Sequence, residues 1–541
     1  MPPRTKTAAG PTIPSTMKEL KDTLWKAADK LRGSMDASQY KDVILGLVFL
    51  KYVSDAFELR RQEIENELIA DGWDEWKVTD QLDDIDEYTS NNVFWVAPTA
   101  RWSFLAQHAK GLSPQDGQPH KNIGQLVDDA MDLLVGANPS LKGAVPRIYN
   151  RDNVDQRRLG ELIDLFNSAR FAGEGASKAR DLLGEVYEYF LEKFARAEGK
   201  RGGEFFTPPS VVRTLVEVLE PTHGRVYDPA CGSGGMFVQA EKFLEAHNED
   251  KTAISIYGQE LNERTWRLAR MNLAIHGLNG QLGSVWGDTF AINLHADVLM
   301  DYVMSNPPFN IKAWARKEDD PRWRFGLPPV TNANYAWIQH IISKLAPGGS
   351  AGVVMANGSM SSNSGGEGDI RAQLVEADLV SCMVALPTQL FRSTGIPVCV
   401  WFFAKDKTKG NGGSVDRSGE VLFIDARELG YMVDRAERAL ADEDITKIAS
   451  TFHAWRGTKS AIDHGQTYED VAGFCKSVPL ADIKASDYAL TPGRYVGAAD
   501  VEDDGEPIAQ KIARLSKDLF ARFDESARLE SVVREQLGRV S

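Results

Sequence analysis

The stretch "GRVYDPACGSGGMF", residues 224–237, joins a short apolar run to a glycine-rich turn and the start of an amphipathic helix. Gly232, Gly234 and Gly235 allow the backbone to turn sharply and to approach a ligand closely. The helix that follows presents free backbone N–H groups at its first turn. This order predicts a strand, a turn and a helix that together contact a nucleotide-like ligand.

Five more apolar runs follow along the chain, namely "ISIYGQE", "DYVMSNP", "SAGVVMAN", "LVSCMVALP" and "PVCVWFFAK". Helical patterns separate all but the last two runs, near 234–247, 262–276, 334–346 and 368–377. The alternation predicts the α/β fold class, with a Rossmann-like, mostly parallel, doubly wound sheet. The last two runs are joined by "TQLFRSTGI", which is too short for a crossover helix. We therefore expect an antiparallel final strand and a sheet that ends near Lys405.

Acidic side chains stand at the ends of three predicted strands. Asp228 ends the first, Glu260 follows the second, and Asp288 follows a third strand predicted at "SVWGDTF". Such sheets bind ligands at their carboxyl edge, where Glu260 could accept hydrogen bonds from both hydroxyls of a ribose. Asp288 could accept one from the amine of an adenine. Because Asp228 would repel a phosphate but suit an amine, the pattern favours S-adenosylmethionine over a dinucleotide.

The stretch "DYVMSNPPFN", residues 301–310, ends a strand with groups suited to holding a planar amine such as adenine N6. The Asn306 side-chain oxygen and the Pro307 carbonyl can each accept one N–H. Pro307 and Pro308 restrict the backbone, and Phe309 offers a face for an extruded base. Because a sulfonium methyl is already activated, catalysis needs positioning and no metal. A strand-end turn without a catalytic role is the alternative.

These motifs resemble the methylation (M) subunit of type I restriction-modification systems, a family of N6-adenine DNA methyltransferases. Besides the two stretches above, "GEFFTPPSVV", "NANYAWIQHIISKLAPGGSAGVVMANG" and "LPTQLFRSTGIPVCVWFF" follow the order of that family. The resemblance implies that Glu260 holds the cofactor ribose and that residues 306–309 hold the target adenine. It also implies further cofactor contacts, at Glu204, Phe205, Phe206, Thr207, Pro208, Ser233, Gly234 and Gly235.

The resemblance and the helical periodicity together predict four regions. Residues 1–15 form an unstructured start, and residues 16–198 a helical N-terminal domain. Residues 199–500 form the S-adenosylmethionine-dependent methyltransferase domain, although segment 420–500 shows no pattern that assigns its elements. Residues 501–541 form a C-terminal helical tail whose apolar stripe needs a packing partner, either its own domain or another subunit.

Bulk composition restricts the class of protein. The chain has 541 residues, a net charge of −15 and four cysteines without a CxxC pair, which indicates reduced thiols in a cytoplasmic protein. No apolar run approaches the ~20 residues that span a bilayer, so no membrane is expected. A protein that binds nucleic acid alone usually carries a basic surplus. The deficit here predicts that another chain selects the target.

The family resemblance supplies the partners. It implies double-stranded DNA as substrate, a specificity (S) subunit shared by two M subunits, and a restriction (R) subunit that joins for cleavage. The tail at 501–541 is the predicted docking element for S. Two rival functions remain open: methylation of another amine, in RNA or a protein glutamine, and an inactive scaffold.

Two loops also leave alternatives open. The stretch "ARKEDDPRWRFGLPP" carries Arg316, Arg322 and Arg324 beside aromatic residues, and could contact DNA or only pack within the protein. The Gly/Ser-rich stretch 357–369 could order on DNA binding or serve as a mobile connector.

Overall fold

A computed structural model describes most of the chain, with gaps. The described residues are 17–29, 37–113, 120–168, 184–194, 207–391, 396–498 and 508–538. The predicted start at 1–15 and the predicted boundary between 198 and 199 lie outside them. No described helix is both long and apolar enough to cross a bilayer.

The N-terminal region is helical, as its periodicity predicts. Its helices are α1 (Met17–Asp29), α2 (Ala37–Ala70), α3 (Glu75–Leu82), α4 (Asp86–Thr89), α5 (Trp102–Gln107), α6 (Ile123–Ala137), α7 (Gln156–Ser168) and α8 (184–194). The apolar run of α2 lies in the core of the N-terminal helical region, where Leu45, Phe49 and Leu50 are fully buried. Lys51 and Asp55 interrupt that run and pair with each other one helical turn apart. The run is therefore a core helix.

A nine-stranded sheet follows, in the spatial order β3-β2-β1-β4-β5-β7-β6-β8-β11. Its strands are β1 (Gly224–Asp228), β2 (Ile254–Gly258), β3 (Gly280–Gln281), β4 (Met300–Ser305), β5 (Leu345–Ala356), β6 (Val380–Ala385), β7 (Val398–Ala404), β8 (Glu420–Asp425) and β11 (Cys475–Pro479). A separate two-stranded ribbon pairs β9 (Tyr431–Met432) with β10 (Arg438–Ala439). Strand β7 is antiparallel to both β5 and β6, which confirms the orientation predicted from its short connection.

Helices cover both faces of the sheet. They are α9 (Pro209–Leu219), α10 (Gly235–Ala246), α11 (Glu263–Ile275), α12 (Asn334–Lys344), α13 (Glu367–Glu376), α14 (Asp442–Arg456), α15 (Lys459–Asp463) and α16 (Leu480–Ala485). Helix α17 (Ile508–Gly538) forms the tail. The four helical patterns predicted between the strands correspond to α10, α11, α12 and α13.

The sheet does not end near Lys405, and that prediction is wrong. Strand β8 pairs with β6 in parallel, and β11 then pairs with β8 in the antiparallel sense. The intervening helix α14 covers the sheet from the same side as α9, where the His453 ring contacts the Glu217 carbonyl oxygen at 2.8 Å. Segment 420–500 escaped assignment because its two strands in the large sheet, β8 and β11, are separated by about fifty residues that form the β9–β10 ribbon, helices and loops.

The prediction of a third strand at "SVWGDTF" is also wrong. Strand β3 comprises only Gly280 and Gln281, and the chain leaves the sheet at Gly283, which has φ +76°. Val285 and Trp286, which would have been strand residues, are 48% and 41% exposed. Their β-forming side chains therefore lie on a surface loop, and Asp288 reaches the sheet edge from that loop.

Helix α11 belongs to two hydrophobic cores at once. Leu268, Met271 and Ile275 pack with the N-terminal helices, whereas Ala269 and Leu273 pack under the sheet. The Tyr52 hydroxyl of α2 also donates to the Ile275 carbonyl at 2.6 Å. The helical region and the sheet domain are thus joined through one shared helix.

The Gly/Ser-rich stretch 357–369 is folded onto the domain. It forms two 3₁₀ turns at Asn357–Met360 and Ser364–Gly366. The buried Arg371 side chain donates to the Ser362 carbonyl at 2.6 Å and to the Asn363 side chain at 2.9 Å. These contacts favour a structural connector over an open, mobile one.

We expect Ile275→Ala to lower the free energy of unfolding by about 2–5 kcal/mol, because it leaves a cavity in the core that α11 shares with the N-terminal helices. Urea unfolding would measure the loss. Ile69→Ala is the control, since Ile69 is 59% exposed. Equal losses in the two variants would contradict the shared core.

Candidate active site

Two adjoining cavities lie at the carboxyl ends of β1, β2 and β4. Their volumes are about 370 and 540 Å³. Residues that line both are Leu191, Ala230, Gly232, Ser233 and Asn306. The predicted glycine turn and the predicted catalytic asparagine therefore meet where the cavities join.

The glycine turn leaves space for a ligand at two of its three glycines. A Cβ atom built on Gly232 or Gly235 would meet no heavy atom within 4 Å, and both residues line the first cavity. Gly234 plays another role, because its φ is +82° and a Cβ there would lie 3.7 Å from Ala269 of α11. Gly232 and Gly235 thus provide open space, and Gly234 together with Gly232, whose φ is +54°, allows the turn itself.

Asp228 is buried at the end of β1 and lines the first cavity. Its Oδ1 accepts hydrogen bonds from the Ser305 hydroxyl at 2.6 Å and the Ala230 N–H at 3.0 Å. Burial nevertheless raises the pKa of Asp228 to about 7, and the neighbouring Glu260 adds to that rise. A positively charged group in the cavity would relieve this cost by stabilising the carboxylate.

Glu260 lines the second cavity just beyond β2. Its two carboxylate oxygens accept hydrogen bonds from the Gly232 N–H at 3.1 Å and the Asn262 N–H at 2.8 Å. These bonds hold the carboxylate against the glycine turn. A carboxylate has about four acceptor sites, so Glu260 can still accept hydrogen bonds from a ligand.

Asp288 lines the same cavity as Glu260 and reaches it from a loop. Its Oδ1 accepts from the Phe290 N–H at 2.8 Å, which forms a tight turn. The Gly287 N–H donates to the Glu260 carbonyl at 2.8 Å. The loop is therefore tied directly to the end of β2.

Gln259 is a positioning residue that the sequence analysis missed. Its fully buried amide donates to the carbonyl oxygens of Gly287 at 3.1 Å and Ile292 at 2.7 Å, and accepts from the Leu294 N–H at 3.2 Å. These bonds replace the strand pairing that the loop lacks. The sequence feature that could have indicated this role is the polar amide directly after the apolar run "ISIYG".

Asn306 follows the last residue of β4, and its two side-chain polar atoms differ in their surroundings. The amide nitrogen donates to the Thr207 hydroxyl at 2.9 Å. The amide oxygen is buried and receives no hydrogen bond from any described residue. A buried acceptor without a donor is costly, so this oxygen is suited to an incoming N–H group. Among described residues, nothing donates to the Pro307 carbonyl either.

The backbone after Asn306 is held by side chains of α12. The Trp337 indole donates to the Pro308 carbonyl at 3.2 Å. The Asn334 side chain accepts from the Asn310 N–H at 2.7 Å and donates to the Asn310 side chain at 3.0 Å. Asn310 itself has φ +60°, where the loop turns back. Asn334 and Trp337 lie within "NANYAWIQHIISKLAPGGSAGVVMANG", a stretch in which the sequence alone assigns no role to single residues.

The remaining predicted site residues differ in whether they line the two cavities. Phe309 is 9% exposed, packs in the core under the sheet and lines neither cavity. The aromatic residues that do line the second cavity are Phe290, Trp314 and Trp337. Pro208 precedes α9 and is buried. Glu204, Phe205 and Phe206 lie outside the described residues.

The N-terminal helical region contributes to the cavity wall, which the sequence did not indicate. Helix α8 supplies Glu188 and Leu191, and α1 supplies Lys21. Lys242 of α10 donates to both carboxylate oxygens of Glu188, at 2.8 and 2.9 Å. Against the opposing effect of burial, the hydrogen bond with His276 and the charge and hydrogen bonds of Lys242 lower the pKa of Glu188 to about 2. The ion pair connects α8 to the sheet domain beside the first cavity.

Comparison with known proteins places this site in a family. The N-6 DNA Methylase family model matches residues 178–504, and the HsdM N-terminal domain model matches residues 20–166. The chain is 48% identical over 451 residues to the type I restriction enzyme HindI methylase subunit of Haemophilus influenzae, covering 81% of this chain and 98% of that protein. The chain belongs to the N-6 DNA methylases, among the type I restriction enzyme methylase subunits. The resemblance inferred from the motifs is thereby confirmed.

A further relative of this methylase agrees with that assignment, and a solved structure shares its fold. The type I restriction enzyme MjaIX methylase subunit of Methanocaldococcus jannaschii is 39% identical, over 96% of this chain and 91% of the relative. The type I restriction-modification methyltransferase subunit of Streptococcus thermophilus has a similar crystal structure, with a TM-score of 0.72 and 24% identity. That match covers 89% of this chain and 100% of the other. The structural likeness confirms the methyltransferase fold.

We expect Asp228→Asn to stabilise the methylase more at pH 8 than at pH 5. The pKa of Asp228 is about 7 in the folded protein, against 3.8 ordinarily. Because the pKa is higher in the folded protein, the contribution of Asp228 to the free energy of unfolding is most favourable below about pH 4. That contribution is lost as the pH rises towards 7. Removing the ionisable group would therefore raise the free energy of unfolding by up to about 4 kcal/mol at pH 8.

Thermal unfolding of the two proteins at both pH values would test this expectation. The surface substitution Asp369→Asn controls for the loss of one acidic side chain. A gain for Asp228→Asn that is the same at pH 5 and pH 8 would contradict the assignment of a raised pKa to Asp228.

Proposed function

We propose that the chain transfers a methyl group from S-adenosylmethionine to N6 of adenine in double-stranded DNA. In this proposal it is the modification subunit of a type I complex, and a separate specificity subunit selects the target sequence. The observation that carries the proposal is the buried Asn306 amide oxygen without a described donor, placed where the two cavities join.

The residues present fit S-adenosylmethionine. The open space beside Gly232 and Gly235 admits a ligand, and the surrounding acceptors suit one that carries N–H groups and positive charge. In this assignment Glu260 would hold the ribose hydroxyls and Asp288 the adenine amine. Asp228 would face the cationic end of the cofactor. When bound, the cofactor supplies a methyl group that is already activated on a sulfonium.

The chain's own residues would then position the target amine. The lone pair of adenine N6 is delocalised into the ring, which makes the nitrogen a poor nucleophile. If Asn306 Oδ1 and the Pro307 carbonyl each accept one N–H, the nitrogen is drawn towards tetrahedral geometry. Thr207 and Trp337 hold these two acceptors in place by their hydrogen bonds to Asn306 and Pro308. Removing one preorganised donor from an oxyanion hole costs about 10²–10³ in rate, and we expect a loss of that order for one of these acceptors.

The base would have to leave the duplex to reach Asn306. Phe309 was predicted to stack on it, and this remains a prediction. Phe290, Trp314 and Trp337 already line the cavity next to Asn306 and offer apolar faces of the required size. Asn306, Pro307 and Pro308 are retained in the proposed catalytic site.

The proposed partners follow from charge and from the tail helix. The chain's charge of −15 does not favour unaided DNA binding. Helix α17 carries apolar side chains that are 49–63% exposed, at Ile512, Leu515, Leu519, Phe520, Phe523, Leu529 and Val533. Exposed apolar stripes of this length mark protein interfaces. We assign α17 to docking on the specificity subunit, in a complex with two M subunits per S that an R subunit can join.

We expect Asn306→Ala to lower methylation of duplex DNA at least about 100-fold, because one amine acceptor is lost. Cofactor affinity should change far less. The measurement is transfer of labelled methyl by the complex assembled with the specificity subunit, with Asn66→Ala on the exposed surface of α2 as control. Unchanged methylation by Asn306→Ala would contradict the catalytic assignment.

The same assay separates the rival functions. Recovery of the label as N6-methyladenine in DNA supports the proposal. Label on RNA or on a protein glutamine would overturn the choice of substrate, and the absence of transfer by the unmodified complex would indicate a scaffold.

We expect truncation after Glu506 to abolish co-purification with the specificity subunit, because it removes the exposed stripe of α17. The triple change Leu515→Ala, Leu519→Ala and Phe523→Ala should weaken the complex in the same direction. Lys517→Ala, on the opposite face of the helix, is the control. Retention of the specificity subunit by the truncated chain would disprove docking through α17.

A further inference from the structure

We propose that Arg322 is a positioning residue for the cofactor site. Its guanidinium joins the Asp288–Phe290 turn, which lines the second cavity, to the loop that follows the Asn306–Phe309 motif. The inference rests on the proposed use of S-adenosylmethionine, and the experiment below distinguishes failure of one from failure of the other.

All five N–H groups of Arg322 have acceptors within the protein. Nη1 donates to the Thr289 carbonyl at 2.8 Å, and Nη2 donates to the Phe290 carbonyl at 2.9 Å. Nε and Nη2 donate to the two oxygens of Asp320 at 2.8 and 2.5 Å. The remaining Nη1 hydrogen faces His340 Nδ1 at 3.0 Å. A planar guanidinium is the only side chain with enough donors in this arrangement.

The turn that Arg322 holds forms part of the cofactor cavity. Asp288, Thr289 and Phe290 all line it. The Thr289 hydroxyl donates to the Pro229 carbonyl at 2.6 Å, which connects the turn to the segment after β1. No strand pairing supports this loop, and besides the backbone bond from Gly287 to Glu260 its position depends largely on such side-chain bonds.

His340 completes the link to the sheet. Burial, together with the adjacent Arg322 charge, lowers the pKa of His340 well below its usual range, so the ring is neutral. A neutral ring can accept from Arg322 at Nδ1 and donate from Nε2 to the Tyr227 hydroxyl, 3.2 Å away on β1. Arg322 is thereby held from the sheet side as well as by Asp320.

These contacts decide between the two roles left open for Arg322 in this loop. The Arg322 side chain is 10% exposed and has no N–H free for a phosphate or a base. Arg316 also turns inward, donating to the Pro328 carbonyl at 2.9 Å. Arg324 is exposed and serves as a comparison on the same loop.

The test measures the affinity of the full chain for S-adenosylmethionine by calorimetry. Arg322→Lys keeps the charge but cannot reproduce the fork of donors. It should raise the dissociation constant about tenfold, since at least two hydrogen bonds to the turn and its anchors are lost. Arg324→Lys should remain within about twofold. DNA affinity of the assembled complex should be unchanged by Arg322→Lys, because Arg322 reaches no solvent-facing partner.

A second variant keeps the inference testable if Arg322→Lys does not fold. Thr289→Val removes only the hydroxyl that ties the turn to Pro229, and should weaken cofactor binding about threefold. A merely structural role would lower the thermal midpoint or the binding stoichiometry without changing the dissociation constant of the folded fraction.

The outcomes separate the two proposals. If the unmodified chain does not bind S-adenosylmethionine, both the cofactor assignment and this inference are wrong. If the unmodified chain binds and both Arg322→Lys and Thr289→Val match its affinity, the positioning role alone is overturned. A weaker DNA affinity with unchanged cofactor affinity would also overturn it, in favour of a DNA contact.

Discussion

Parallel pairing between β1 and β4 sets Val226 opposite Tyr302 and Tyr227 opposite Val303. The two strands therefore end side by side, and the Ser305 hydroxyl of β4 reaches the Asp228 carboxylate of β1. A slip of one residue would turn every side chain of one strand to the opposite face of the sheet. The glycine turn after β1 and the Asn306 motif after β4 would then no longer meet.

Two side-chain amides that line the first cavity follow the same physical rule. Asn306 and Asn272 each donate through nitrogen, to Thr207 and to the Ser233 carbonyl, and each leaves a buried oxygen without a described donor. Together with the carboxylate of Asp228, they make the first cavity rich in acceptors. An apolar or anionic ligand would leave these groups unsatisfied, whereas a positively charged group beside Asp228 and an incoming N–H group at Asn306 would satisfy them.

The helical region is built into the methyltransferase rather than attached to it. Helix α11 packs in both cores, and Leu191 of α8 lines both cavities. A movement of the N-terminal helices would therefore change the shape of the two cavities. By contrast, the apolar side chains of α17 named above stay exposed, so packing against the other described residues contributes little to the stability of this helix.

By itself the sequence determined the α/β class, the strand–turn–helix unit, the antiparallel β7 and the motif at Asn306, because local periodicity and turn chemistry encode these features. Only the tertiary structure decided that β8 and β11 extend the sheet, that Asp288 arrives on a loop, and that Phe309 packs in the core. It also decided that Gln259 and Arg322 hold that loop and that α8 lines the cavity. These features depend on hydrogen bonds and packing between residues far apart in the chain, which no local pattern records.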